Sequence, residues 1–327
     1  MKFKIDGFVL SIIAVIGIAY IFPQWGTADS LFPIDTISAI GISLIFFFYG
    51  LKLSPQKLKA GLKNWKLHLL VQASTFLIFP FIVLTFYPLM QNEEQETLWL
   101  AFFFLAALPS TVSSSVVMVA MAKGNIPAAI FNASISGIIG IVLTPIWMGL
   151  FVQNTQADFD FTEIYTKLLL QILVPVFLGL LLQRFLGVLA QKYGSQLSLF
   201  DKSIILLIIY KSFAESFEAK IFGSVSLLDL VMLFIGVLAL FFLVFFSTGI
   251  TAKKLKFNLE DQITAQFCGT KKSLVHGTVF SKILFGKMAS IGIILLPLMI
   301  YHASQILIMS IIAGKLARRK AVGEGSI

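Results

Sequence analysis

Gln266-Phe-Cys-Gly-Thr-Lys-Lys-Ser273 is the stretch on which the reading of this chain turns. It sets two lysines, Lys271 and Lys272, between one apolar segment and the next in a chain that is 58% hydrophobic. A charge at membrane depth costs roughly 2.5–3.5 kcal/mol on insertion scales and is tolerated mainly in a bundle interior or a wet cavity. Gly269, Thr270 and Ser273 beside the lysines suit a broken helix, the element from which secondary transporters build binding sites. The bland alternative, a solvated loop extension, would break the alternation of loop charges that the rest of the chain keeps.

Working outward, 327 residues with 33 Phe, 13% charged residues and a mean hydropathy of +0.93 exclude an ordinary soluble domain. They imply an all-α polytopic membrane protein, since a helix needs about 20 mostly apolar residues to cross a bilayer. The net charge of +9 would suggest nucleic acid in a soluble protein, but here the positives fall in short loops and report orientation. No nucleic-acid partner is expected; the lipid bilayer is. One cysteine, Cys268, excludes an internal disulfide framework and a Cys-rich metal site. The run Phe8–Phe22 ends in Pro-Gln-Trp without a small-residue cleavage site, so it reads as an uncleaved first span.

Apolar runs fall near Phe8–Phe22, Thr36–Leu51, Leu67–Leu89, Leu98–Ala122, Ile126–Phe151, Ile164–Leu186, Leu197–Phe213, Leu227–Ile250, Leu259–Phe285 and Met288–Leu316. That predicts ten transmembrane helices, with polar breaks in the fourth and ninth. Lys52, Lys57, Lys59, Lys63 and Lys66 follow span two, Arg184 and Lys192 follow span six, and Lys253, Lys254 and Lys256 follow span eight. The tail carries Lys315, Arg318, Arg319 and Lys320, whereas Gln91–Thr97 and Gln153–Glu163 are poor in positives. Both termini are therefore expected in the cytoplasm, the membrane being a bacterial inner membrane. Gly140-Ile-Val-Leu-Thr-Pro-Ile-Trp-Met148 resembles Gly292-Ile-Ile-Leu-Leu-Pro-Leu-Met-Ile300. Five spans per half make the halves inverted to one another, residues 1–152 and 160–320, which places solute and ion sites at their interface near the midplane.

Span four reads Leu108-Pro-Ser-Thr-Val-Ser-Ser-Ser115. Pro109 removes a backbone donor and bends the helix, and the hydroxyls of Ser110, Thr111, Ser113, Ser114 and Ser115 can satisfy the freed groups. Such hydroxyls and loosened carbonyls are hard oxygen ligands suited to sodium; packing through small residues is the competing explanation. Two half-helices that begin near the midplane would aim positive dipole ends at a shared cavity. With Lys271 and Lys272 added, that cavity would attract anions.

These residues resemble the bile acid:sodium symporter family, in its SBF-like branch. The resemblance covers nearly the whole chain and is most specific at Leu108–Ser115, Ala122-Lys-Gly-Asn125, Leu143-Thr-Pro145 and Phe267–Leu274. It implies a ten-span fold with a panel domain of spans 1, 2, 6 and 7 and a core domain of spans 3, 4, 5, 8, 9 and 10. In that core, discontinuous helices 4 and 9 cross. It also implies symport of an organic anion with sodium. By position, one sodium site would use Ser114, Ser115, Asn132 and Ser136, with Ser113 and Ser134 nearby. A second would draw on Gln266, Thr270, Lys271, Lys272, Ser273 and a span-three glutamine. That glutamine falls on Thr75, with Gln72 a turn earlier. Where bile acid carriers read Glu-Val-Gly-Met-Gln-Asn-Ser, this chain reads Phe267-Cys-Gly-Thr-Lys-Lys-Ser273. A lysine side chain is thus expected to occupy the second sodium site, as a fixed counter-ion or as a titrating group in proton coupling.

His68, His276 and His302 are scattered, without ligand-like spacing; His276 lies about one turn beyond Lys272, on the same face. Glu215, Glu218 and Lys220 read as solvated loop charges. Glu260 and Asp261 complement a helix start. The function expected is secondary transport of a small organic anion, coupled to sodium or protons. A membrane regulator of cation homeostasis is the competing class. An enzyme is not expected, for the sequence lacks H-E-x-x-H and G-x-S-x-G motifs and a pair of intramembrane carboxylates. No cofactor other than sodium is implied.

Overall fold

The long apolar runs fold as helices, and no strand forms among the residues that the computed structural model describes: 7–26, 32–53, 64–111, 113–152, 162, 166–167, 169–220, 226–285 and 291–318. In chain order the helices are α1 (Gly7–Ile21), α2 (Ile34–Lys52), α3 (Trp65–Ala73), α4 (Phe79–Leu84), α5 (Glu93–Ala107), α6 (Ser113–Met121) and α7 (Ile126–Val152). There follow α8 (Val174–Lys192), α9 (Gly194–Glu218), α10 (Leu227–Lys254), α11 (Leu259–Thr270), α12 (Leu274–Leu284) and α13 (Ile291–Ala317). Single π turns, Ser74–Ile78 and Leu169–Leu173, lead into α4 and α8.

Among the described residues, six stretches are long and apolar enough to cross a membrane: Ile34–Lys52, Trp65–Leu89, Ile126–Phe151, Leu169–Lys192, Leu227–Lys254 and Ile291–Ala317. Their outer faces confirm the solvent. Phe177, Phe185 and Val188 on α8 and Met232 and Phe246 on α10 are exposed, an apolar surface that water would not tolerate on this scale. The protein is an all-helical integral membrane protein.

The predicted breaks are present. Residues 108–111 separate α5 from α6, and Lys271, Lys272 and Ser273 separate α11 from α12. Elsewhere the charges mislead. Arg184 stands inside α8, not in a loop, and only Tyr193 separates α8 from α9. Glu215 and Glu218 are helical too, and Glu215 is no solvated loop charge: its carboxylate lies 2.9 Å from Lys211 Nζ, one turn earlier. Lys211 also bonds Asp35 at 2.9 Å, so three charges are carried inside helices because they pair. Loop lysines Lys57, Lys59 and Lys63, most of Gln153–Glu163, Met288 and the tail beyond Arg318 lie outside the described residues.

Helices α1, α2, α8 and α9 pack on one another, and the other helices form a second group; α9 joins the two by packing on α12 and α13. Gly50 and Gly179 let α2 and α8 meet backbone to backbone, since a Cβ on Gly50 would come 3.0 Å from the Gly179 Cα.

In the second group, three helix starts share one carboxylate. Asn64, Asn125 and Asn258 cap α3, α7 and α11. Asp261 accepts from Asn64 Nδ2 at 2.6 Å and from Asn125 Nδ2 at 2.8 Å, and its N–H donates to Asn258. Hydrogen bonds to a charged group are worth about 1.5–3 kcal/mol each. Asp261→Ala is therefore expected to cost roughly 3 kcal/mol or more, and Asp261→Asn clearly less, by thermal unfolding in detergent.

Candidate solute site at the helix crossing

A helix broken inside a membrane leaves backbone groups that something else must satisfy. Here the partners can be named. Pro109 has no N–H, so α5 stops at Ala107. The Ser110 N–H donates to Ser136 Oγ of α7 at 2.9 Å instead of turning back to Ala106. Thr144 Oγ1, also on α7, donates to the Ala107 carbonyl at 2.7 Å. Such closeness requires Gly140, where a Cβ would lie 2.7 Å from the Pro109 ring. In the other break, Ser110 Oγ donates to the Cys268 carbonyl, Ser74 Oγ to that of Gly269 and Tyr301 OH to that of Thr270. Gln305 takes both backbone groups of Lys272, at 2.9 and 2.8 Å. The two breaks touch directly, as Ser273 N–H donates to the Pro109 carbonyl at 2.9 Å.

Lys272 completes the crossing. Its side chain is fully buried, and Nζ donates to the carbonyls of Thr75 at 2.8 Å, Ala106 at 2.6 Å and Leu108 at 2.8 Å. Two of the three are free for a reason that the backbone shows. In the π turn the Phe79 N–H goes to Ser74, and Pro80 has none to offer, so the Thr75 carbonyl is left over. The Ala106 carbonyl lost Ser110 to Ser136. Three carbonyls around one nitrogen require three N–H donors, which an ammonium has and a neutral amine lacks. The Phe79 ring, 4.1 Å away, covers the charge with its π face, a favourable placement for a cation. Lys272 therefore sits where a metal cation could sit. Lys271 is also fully buried, but among the described residues its Nζ has no hydrogen-bond partner.

A cavity of about 480 Å³ opens beside the crossing. Its wall includes the start of α6, with Thr111 and Ser114, the first turn of α12, with Ser273 and His276, and Ser134 on α7. Two helix N-termini thus converge on one space, and each carries a partial positive charge. Tyr49 of α2 forms part of the opposite wall and donates to the Ser134 carbonyl at 2.5 Å. Lys52, Asp201 and Lys202 also line the cavity, with Lys52 and Asp201 3.6 Å apart. Asp35 begins α2 at its far end, where it pairs with Lys211 of α9 and Lys282 of α12.

The residues singled out in the sequence meet different fates. Ser114, Ser134 and Ser273 line the cavity. Ser115 and Ser114 hydroxyls bond Thr111 Oγ1, Ser136 holds Ser110, and Gln72 Nε2 donates to the carbonyl and Oδ1 of Asn132. Thr75 and Thr270 serve the crossing through their carbonyls. Gln266 instead turns outward to the Phe245 carbonyl of α10. The side chain of Ser113 lies outside the described residues. Neither Lys271 nor Lys272 lines the cavity; the expected pair of cavity charges is a carbonyl-bound strut and a sealed amine. Tyr49 went unnoticed in the sequence, and no local signal marks it.

Two broken helices crossing back to back, beside a hydroxyl-rich cavity between two helix groups, define a membrane transporter of the discontinuous-helix kind. The profile of the SBF-like CPA transporter family matches residues 6–318, and the chain belongs to that family. It is similar to the Escherichia coli protein named "Putative symporter YfeH", with 34% identity over 96% of this chain and 94% of the relative. It is also similar to sodium/bile acid cotransporter 7 of Danio rerio, with 32% identity over 94% of this chain and 92% of the relative.

Proposed function

We propose that the protein is a secondary carrier of a small organic anion, and that the solute binds in the cavity between the two converging helix N-termini. That convergence, with Ser114, Ser134 and Ser273 on the wall, is the observation that carries the reading, because N-terminal N–H groups and hydroxyls are anion donors. The helix count supports it: six long spans, the broken pairs α5/α6 and α11/α12, and α1 and α9 make ten, five to each inverted half. In this reading α1, α2, α8 and α9 form the panel and the remainder the core, which rocks against the panel to expose the cavity alternately. Both termini lie on the cytoplasmic side, so the Lys52 end of α2 faces the cytoplasm.

Sodium is proposed as a coupled substrate at one site only. Ser114, Ser115, Asn132 and Ser136 offer oxygen donors, and Gln72 Oε1, beside Asn132, is buried without a partner. That orphaned oxygen is what a hard cation would use. The second sodium of two-sodium carriers has no place here, since Lys272 holds the carbonyls. A proton is the other coupling ion on offer, through Lys271, whose amine has no partner among the described residues.

Uptake of radiolabelled carboxylates and sulfonates into proteoliposomes tests this. Flux of at least one anion driven by a sodium or pH gradient is expected, and Lys271→Gln should abolish only the pH-driven part. No gradient-driven flux of any anion, beside a working control carrier, would overturn the reading.

A further inference from the structure

Two groups on the cavity wall hold a buried polar atom without a hydrogen-bond partner among the described residues, Asp201 Oδ1 and His276 Nε2, and of the two His276 is the one that can offer an N–H. It lies in the first turn of α12, is 4% exposed, and lines the cavity. The ring is clamped edge-on by Phe46 and Tyr49 of α2 and by Phe280 of its own helix. Its two nitrogens are in different situations. Nδ1 lies 2.9 Å from Ser273 Oγ, and that oxygen already accepts from the His276 backbone N–H at 3.3 Å. A Ser273 hydroxyl that donates to Nδ1 places the ring proton on Nε2, and this is the tautomer the inference takes. Nε2 is buried with no partner.

A Cβ on Gly137 of α7 would run into the Tyr49 hydroxyl and come 3.2 Å from Nε2, so the glycine makes room for the phenol of α2 beside the ring nitrogen, and Nε2 opens to the cavity when α2 and α12 part. A buried donor without an acceptor costs about 1–3 kcal/mol, and such a cost persists where a ligand removes it during function.

We infer that the Nε2–H of His276 is the hydrogen-bond donor that anchors an anionic oxygen of the carried solute, between the N-termini of α6 and α12. This rests on the anion-carrier reading and adds the residue that selects for the anionic group. The apolar wall, with Phe46, Ile45 and Ile306, would then take the body of the solute. The residue acts by direct contact with the solute, and Ser273 is its positioning partner, holding the ring in the donor tautomer.

The test uses the purified full-length protein and one bicyclic body in four forms: 2-naphthoate, naphthalene-2-sulfonate, the neutral 2-naphthamide and 2-methylnaphthalene. Binding is measured by calorimetry. The wild type is expected to bind at least one of the two anions, and to bind 2-methylnaphthalene tenfold or more weakly, as loss of a hydrogen bond to a charged group implies. His276→Leu should lose roughly tenfold or more for the anion and little for 2-methylnaphthalene. His276→Gln, which keeps an N–H donor, should stay within about threefold. The comparison among ligands on the wild type keeps the inference exposed even where a variant does not fold.

Anion affinity unchanged in His276→Leu would overturn the role of His276 and leave the carrier reading standing. Equal binding of the anion and 2-methylnaphthalene by the wild type would overturn it as well. Equal affinity for 2-naphthamide, still lost in His276→Leu, would uphold the donor but remove the preference for anions. Binding of neither anion would overturn this inference and count against the carrier reading together.

Discussion

Lys272→Met is expected to lower the unfolding free energy by more than about 3 kcal/mol, because removing one partner from a buried charged cluster costs about 3–5 kcal/mol. Three carbonyls, of Thr75, Ala106 and Leu108, lose their donor together. A methionine fills the volume, so the loss measures polar satisfaction rather than a cavity. A second consequence is more telling. A cluster of inward carbonyls stripped of its ammonium is a cation site once the space is also cleared, so sodium should stabilise Lys272→Ala and leave the wild type nearly unmoved. Melting curves in sodium against N-methyl-D-glucamine chloride read this directly. Equal melting temperatures for Lys272→Met and the wild type would show that Lys272 is not the strut described.

Asp35→Asn is expected to change which face of the membrane can reach the cavity. Asp35 receives Lys211 and Lys282, and so ties the start of α2 to α9 and to α12. Lys282 follows the break on α12, while α2 belongs to the other helix group, so its pair with Asp35 fastens the two groups at the end away from Lys52. The measurement is labelling of Ser114→Cys by a membrane-impermeant thiol reagent, with Cys268→Ala to remove the native thiol. With Asp35 intact, labelling from the Asp35 face should be slow and from the Lys52 face fast. With Asp35→Asn, the rate from the Asp35 face should rise about tenfold, the size of change that about 1.4 kcal/mol in a two-state balance produces. A rate that stays the same would mean that the ion pair holds nothing shut.

Much of this was legible in the chain. Pro109 followed by hydroxyl residues marked one break, and Gly269-Thr-Lys-Lys-Ser273 the other, since both are local statements about backbone donors and helix propensity. Lys271 and Lys272 stood out as charges set between two apolar segments. Their separate fates were not legible. Lys272 finds its carbonyls on α5 and in the π turn before α4, at sequence separations of 164–197 residues. The π turn itself has no sequence mark apart from Pro80. The cavity wall was hidden for the same reason. Tyr49 comes from α2 and is distinguished from its aromatic neighbours Phe47 and Phe48 only by where its hydroxyl lands. His276 could be placed one turn beyond Lys272, yet the fit of its ring beside Tyr49 depends on Gly137 of another helix. Glu215 was misread because pairing with Lys211 lets a carboxylate remain inside a helix where an unpaired one would be expelled.

Electron cryomicroscopy of the protein in lipid nanodiscs tests the central claim most directly. The density is expected to show α5 and α6 separated at residues 108–111, α11 and α12 separated at Lys271–Ser273, and the Lys272 ammonium within hydrogen-bond reach of three carbonyls. A continuous helix through either break, or Lys272 directed into bulk water, would contradict it.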